Sequence, residues 1–234
     1  MIVVVWKRIF HIGKNVYIWT MAKLLSYLYP ITKKIQSEFS GLVEITWYNG
    51  KKHLNTKNAN YSYGSLQRIL KFGLEHLDLN KINSVLLLGL GGGSVVQTLR
   101  NDYSYSKPIT AVDIDPVIID IARNEFQLEE DGHLKIVCAD ALDFMSLNND
   151  HFDLIIIDLF IDTEVPEAFL TIPFWKDVLK ASSTNGAILF NASLETTESK
   201  TLKELIQFLK SHMYHTEVFK KVNGTNTLIL SKGL

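Results

Sequence analysis

From residue 85 onward, short apolar runs recur at 85–88, 109–112, 134–137, 154–157 and 187–190. Apart from Thr110 and Lys135 these runs are apolar at consecutive positions, the pattern of a strand covered on both faces. Stretches with helical periodicity separate them, at 94–100, 116–126, 141–146, 173–180 and 199–211. Strands alternating with helices predict a parallel sheet with helices on both sides. The last segment breaks the alternation. Residues 215–222 and 225–231 flank Asn223 and Gly224, a tight-turn pair that predicts an antiparallel hairpin. Earlier in the chain, residues 42–47 are β-branched and partly alternating, Asn49 and Gly50 mark a turn, and residues 51–56 return. Leu66, Ile69, Leu70, Leu74 and Leu77 fall on one face of a helix predicted over 63–79.

These elements predict an α/β fold. A mostly parallel, seven-stranded sheet ends in an antiparallel hairpin, the class I methyltransferase-like (Rossmann-like) arrangement, and a small N-terminal β module precedes it. The expected division is an extension over 1–30, a β module over 31–62 and a methyltransferase-like domain over 63–234.

The chain has 234 residues, 47% of them hydrophobic, and a net charge of −1, which excludes a wholly disordered chain and allows a large core. Residues 1–60 carry nine Lys/Arg against Glu38 and Glu44, leaving −8 on the remainder, a balance that suits a cationic substrate. The apolar stretches of the first thirty residues fall short of the ~18–20 residues of a membrane span, and no signal-peptide pattern accompanies them. Met21 is a second candidate start. The single cysteine, Cys138, ends an apolar run; it is expected to be buried and inert, and it fits a reducing, cytoplasmic compartment. The seven histidines are scattered, so no metal site is expected. Lys51, Lys52 and His53 make a short basic stretch that reads as solvated surface, and no nucleic-acid contact is expected.

The candidate chemistry sits where the apolar runs end. Gly89, Gly91, Gly92 and Gly93 follow the first run, where glycine lets the backbone turn sharply and approach a ligand. Asp113 closes the second run, 24 residues after Gly89, near the spacing at which an acid meets ribose hydroxyls. Ile114 follows it, and Asp115 before Pro116 reads as a helix cap. Asp140 and Ala141 follow the third run; Asp140 can accept from an adenine amino group or cap a helix. Asp158 closes the fourth run, with Asp162 four residues on.

The segments 85–94, 111–118, 138–141 and 152–158 resemble the spermidine synthase (polyamine aminopropyltransferase) family. The β module and the helix beginning near Tyr61 and Tyr63 match its layout. The resemblance implies an S-adenosyl nucleoside, decarboxylated S-adenosylmethionine, as co-substrate, with S-adenosylmethionine itself the co-substrate if the chain is a methyltransferase. It also implies ribose contact at Asp113, adenine contact at Asp140, and an amine-activating carboxylate at Asp158. Tyr63 is expected in the catalytic set, Tyr61 and Asp162 along the acceptor channel, an amine or polyamine as acceptor, and a homodimer as the assembly. Three positions depart from the family. Gly92 replaces a loop acid, residues 158–162 lose the spacing of a second acid, and Ala59 and Asn60 stand where an acidic pair lies. Besides aminopropyl transfer, the same pocket suits an S-adenosylmethionine-dependent methyltransferase, part of the glycine pattern suits an NAD-dependent oxidoreductase, and the lost acids suit a non-catalytic binding module.

Overall fold

The structure is a computed structural model that describes residues 21–56, 60–62, 64–161, 164–193 and 199–234. Two sheets organise it. The first has four antiparallel strands in the order β1 (Ile31–Ser37), β2 (Gly41–Tyr48), β3 (Lys51–Thr56) and β4 (Asn60–Ser62). The second contains β5 (Val85–Leu88), β6 (Ile109–Asp113), β7 (Leu134–Cys138), β8 (Phe152–Ile157), β9 (Ser182–Ser193), β10 (Tyr214–Val222) and β11 (Asn226–Gly233). Their spatial order is β10-β11-β9-β8-β5-β6-β7. Strands β5 to β9 run parallel, and β11 pairs antiparallel with both β9 and β10. From β5 the chain moves outward through β6 and β7, then returns to β8 on the other side of β5. That reversal opens a crevice at the carboxyl ends of β5 and β8, the switch point where open α/β sheets bind ligands.

The faces are filled by α1 (Ser65–Leu74), α2 (Ser94–Gln97), α3 (Pro116–Phe126), α4 (Ala141–Leu147), α5 (Ile172–Ala181) and α6 (Lys200–Ser211). Strand alternation divides the core. Val85, Leu87, Leu154 and Ile156 pack on one face with Ile69 and Leu70 of α1, Val95 and Val96 of α2, and Ile119 of α3. Leu86, Leu88, Ile155 and Ile157 face the other way, against Met145 of α4, Trp175 of α5 and Leu205 of α6. All eight strand residues are buried, which explains the unbroken apolar runs. Trp175 is fully buried, and its indole N–H donates to the Phe169 carbonyl at 2.9 Å, so the ring leaves no polar atom unpaired.

The small sheet is packed against α3. Val43, Ile45 and Leu54 form a third apolar cluster with Ile118, Ile121 and Phe126. The mostly buried Lys52 ammonium adds an ion pair with Glu125 at 2.9 Å and donates to the Glu125 carbonyl at 2.6 Å. Asp115 caps α3, one carboxylate oxygen accepting from Val117 N at 2.9 Å. Its other oxygen accepts from the hydroxyls of Ser37 (2.5 Å) and Ser40 (2.6 Å), fixing the β1–β2 turn beside the end of β6.

Three local expectations are corrected. The helix predicted from residue 63 begins at Ser65, because Gly64 at φ +64° sets the chain into it, and it ends at Leu74. The helix after the glycine loop is α-helical only to Gln97 and continues as a π-helical stretch, Thr98–Asp102. Cys138 is exposed. Its apolar run forms β7, the edge strand of the large sheet, and the thiol sits on that strand's last residue. Residues 1–20 lie outside the described residues. No helix among the described residues is long and apolar enough to cross a membrane.

Candidate functional site

A cavity of about 470 Å³ lies over the carboxyl ends of the central strands. This volume is within the ~300–1,000 Å³ range of small-molecule sites. Gly89 and Gly91 line it from the loop after β5, Asp113 and Ile114 from the end of β6, Asp140 and Ala141 from the end of β7, and Asp158 from the end of β8. The structure thus brings seven sequence-predicted residues to one space. Gly92 and Gly93 belong to the same loop but do not line the cavity. Tyr63 and Asp162 lie outside the described residues. Tyr61 falls on β4, and its side chain is outside the described set.

The glycine loop is shaped by close approach as much as by its turn. Gly89 has φ +91°, and a Cβ there would stand 2.1 Å from the Asp158 carbonyl oxygen, so the β5 and β8 backbones nearly touch where the cavity begins. Gly93, at φ +83°, is the N-cap of α2. Substituting Gly89→Ala combines a left-handed backbone with a backbone collision. We expect a loss of more than about 1 kcal/mol of stability together with loss of ligand affinity, read by denaturant melts and calorimetry.

Asp113 organises this loop. Its Oδ2 accepts from Gly91 N at 3.0 Å and its Oδ1 from Asp115 N at 3.0 Å. An ionised carboxylate offers about four lone-pair sites, so Asp113 keeps acceptor capacity beyond these two bonds. Burial pushes the Asp113 carboxyl up to about 6, against the pull of those backbone N–H groups. Asp140 caps α4, with Oδ1 accepting from Leu142 N at 2.6 Å, while the residue also lines the cavity. The helix-cap reading of Asp140 therefore holds. Ile114, Ala139, Leu142, Leu159 and Phe160 supply apolar lining to the same cavity.

Asp158 differs from the other two acids. Its Oδ1 accepts from the Asn191 side-chain amide at 2.8 Å, and burial pushes its carboxyl up to about 6 despite that donor. The same cavity is lined by Pro166, Ala168 and Phe169 and by Leu66 and Ile69 of α1. An acid with a raised pKa facing a cavity is a candidate proton acceptor.

Several lining residues carried no sequence signal. Phe39 and Ser40 reach the cavity from the β1–β2 turn, so the small sheet supplies part of the wall. Asn191, Thr225 and Asn226 come from the ends of β9 and β11. The one signal for Asn191 was its place immediately after an apolar run, the same position that marked Asp113 and Asp158. Among the described residues, no group of three or more His, Cys, Asp or Glu side chains is placed to hold a metal ion.

A sheet of this order, closed by the β10–β11 hairpin and opening its cavity at the ends of β5 and β8, defines a class I methyltransferase-like fold. The crystal structure of human methyltransferase-like protein 13, solved in complex with SAH, is similar to it with a TM-score of 0.61 at 22% identity, over 74% of this chain and 83% of that one. Residues 68–228 match the model of the spermine/spermidine synthase domain, and the chain belongs to that family. It is 35% identical over 108 residues to a polyamine aminopropyltransferase of Chromobacterium violaceum, covering 46% of this chain and 41% of the relative. It is 28% identical over 176 residues to the eEF1A lysine and N-terminal methyltransferase homolog of Drosophila melanogaster, covering 67% of this chain and 25% of the relative. The chain thus matches less than half the length of either relative. Both relatives are transferases.

Proposed function

We propose that this chain binds an S-adenosyl sulfonium nucleoside in the cavity and transfers an alkyl group from it to an amine received by Asp158. The observation that carries the reading is the placement of three acids at the ends of three parallel strands around one cavity, each with a different local chemistry. Asp113, beside the glycine loop, suits ribose hydroxyls. Asp140, among Ile114, Ala139 and Leu142, suits an adenine edge. Asp158, with its pKa raised and one oxygen already bonded, suits an ammonium group. The fit of a nucleoside rests on the cavity at the strand ends, lined by Gly89, Gly91 and the carboxylates of Asp113 and Asp140.

When bound, the sulfonium supplies an activated carbon whose C–S bond breaks with the electron pair going to sulfur, which leaves as a neutral thioether. The protein's own work is alignment and proton handling. Asp158 first holds the acceptor as an ammonium, then takes one proton so that the nitrogen lone pair can form the new C–N bond. A free primary amine near pKa ~10.4 and a solvent-exposed Asp near ~3.9 are badly matched for that transfer. Raising Asp158 to about 6 narrows the gap while leaving the group ionised at neutral pH. The turnover rate at saturating nucleoside should therefore rise with pH up to about 6 and then level off, since below it Asp158 is protonated and can accept nothing. A rate that is flat from pH 5 to 8 would contradict this role.

Aminopropyl transfer is the family's reaction and the first reading of the transferred group. Gly92 favours a second reading, methyl transfer, because no side chain stands at the loop position where an acid would select the aminopropyl amine. Product analysis decides between them. With a set of primary amines and both nucleosides, release of methylthioadenosine marks aminopropyl transfer, and release of S-adenosylhomocysteine marks methyl transfer. Release of neither sinks the enzymatic reading and favours a binding module.

A further inference from the structure

Asp158 is the end of a buried polar chain that crosses three strands. Asn191 Nδ2 donates to Asp158 Oδ1 at 2.8 Å, Asn226 Nδ2 donates to Asn191 Oδ1 at 2.9 Å, and Thr225 Oγ1 donates to Asn226 Oδ1 at 2.8 Å. Asn191 is 0% exposed and Asn226 is 2% exposed. The register explains the alignment. Ile157 pairs with Phe190, so Asp158 and Asn191 follow side by side at the ends of β8 and β9, and Asn191 in turn pairs with Leu228 of β11, two residues from Asn226.

The direction of this chain is fixed by its first member. An ionised carboxylate has no hydrogen to give, so Asn191 must turn its NH2 toward Asp158 and its oxygen away. That oxygen then requires a donor, which Asn226 provides, and the Asn226 oxygen requires one in turn, which Thr225 provides. Every amide group in the row is thereby satisfied at both ends, as burial demands. The arrangement also commits Asp158 Oδ1 to the protein. The second oxygen accepts no hydrogen bond from a described residue, and Asp158 lines the cavity.

We infer that Asn191, Asn226 and Thr225 are positioning residues that occupy one oxygen of Asp158, hold the carboxylate ionised, and present its other oxygen to the acceptor amine. The inference rests on the amine-transfer reading for its purpose, but its physical core is independent of turnover. A donor to the charged form opposes the effect of burial, which alone drives the Asp158 carboxyl upward. The effect should fade with distance along the chain: Asn191 acts directly, Asn226 through Asn191's orientation, and Thr225 through both.

The test uses the full chain, with the Asp158 carboxyl followed by carbon-13 NMR and assigned by its disappearance in Asp158→Asn. In Asn191→Leu the Asp158 pKa should rise by about one unit, with a smaller rise of the same sign in Asn226→Leu and the smallest in Thr225→Val. In the same series, turnover at pH 7 should fall by about tenfold in Asn191→Leu while nucleoside affinity stays within about twofold. If Asn191→Leu fails to fold, seen as loss of nucleoside binding, the other two variants carry the same comparison. A pKa unchanged in Asn191→Leu and Asn226→Leu overturns the inference. If the wild type transfers no group to any amine, the functional proposal fails, and the NMR titration still decides whether the chain governs Asp158.

Discussion

Asp158→Asn should lower turnover by about 10³-fold while leaving nucleoside affinity within about twofold of wild type. The substitution is nearly isosteric and keeps an oxygen to accept from Asn191, so the neighbouring amides remain satisfied. What it removes is the ability to hold an ammonium and take its proton. Stability gives an independent readout. Burial raises the native pKa to about 6, above the unfolded value near ~3.9. The ionised group therefore costs stability, a cost absent below the unfolded pKa and complete once the pH passes the native one. Asp158→Asn should raise the melting temperature at pH 8 and leave it unchanged near pH 4. A variant that loses turnover and also melts lower at pH 8 would point to structural damage instead.

The second large effect is expected at Asp113. Asp113→Ala should weaken nucleoside binding by about 10²-fold or more, because a charged acceptor for two hydroxyls is lost. The same change frees Gly91 N and Asp115 N from their side-chain partner, so the loop and the start of α3 both lose a tether. Asp113→Asn separates these contributions: its oxygen can still accept one of the two N–H groups, and affinity should fall less. Calorimetry with S-adenosylhomocysteine measures both variants without requiring any acceptor.

These expectations trace to features with unequal visibility in the sequence. The parallel strands were legible because burial on both faces writes itself as consecutive apolar residues, as in Leu154, Ile155, Ile156 and Ile157. An acid within a few residues of the end of such a run lies at the carboxyl end of a strand, and Asp113, Asp140 and Asp158 followed from that rule. Gly89 was legible as a turn, but its near contact with the Asp158 backbone depends on the β5–β8 pairing, which no local pattern encodes. Asn191, Asn226 and Thr225 were missed for the same reason. Their alignment needs the antiparallel register of β11 on β9, and an amide beside a turn reads as turn chemistry until its partner is known. Phe39 and Ser40 escaped because the β1–β2 turn is held beside the end of β6 through Ser37, Ser40 and Asp115, three polar residues without periodicity. Cys138 shows the converse error, since an apolar run at a sheet edge looks the same as one at its centre.

The family's aminopropyl chemistry and the glycine loop of this chain pull in different directions, and both depend on one prior claim, that the cavity holds an adenosyl nucleoside. Titration calorimetry of the purified chain with S-adenosylmethionine, its decarboxylated form, S-adenosylhomocysteine and methylthioadenosine tests that claim directly. The account predicts saturable binding of at least one of them at a single site, weakened by about 10²-fold or more in Asp113→Ala and retained in Asp158→Asn. No binding of any of the four, or binding indifferent to Asp113, would contradict it.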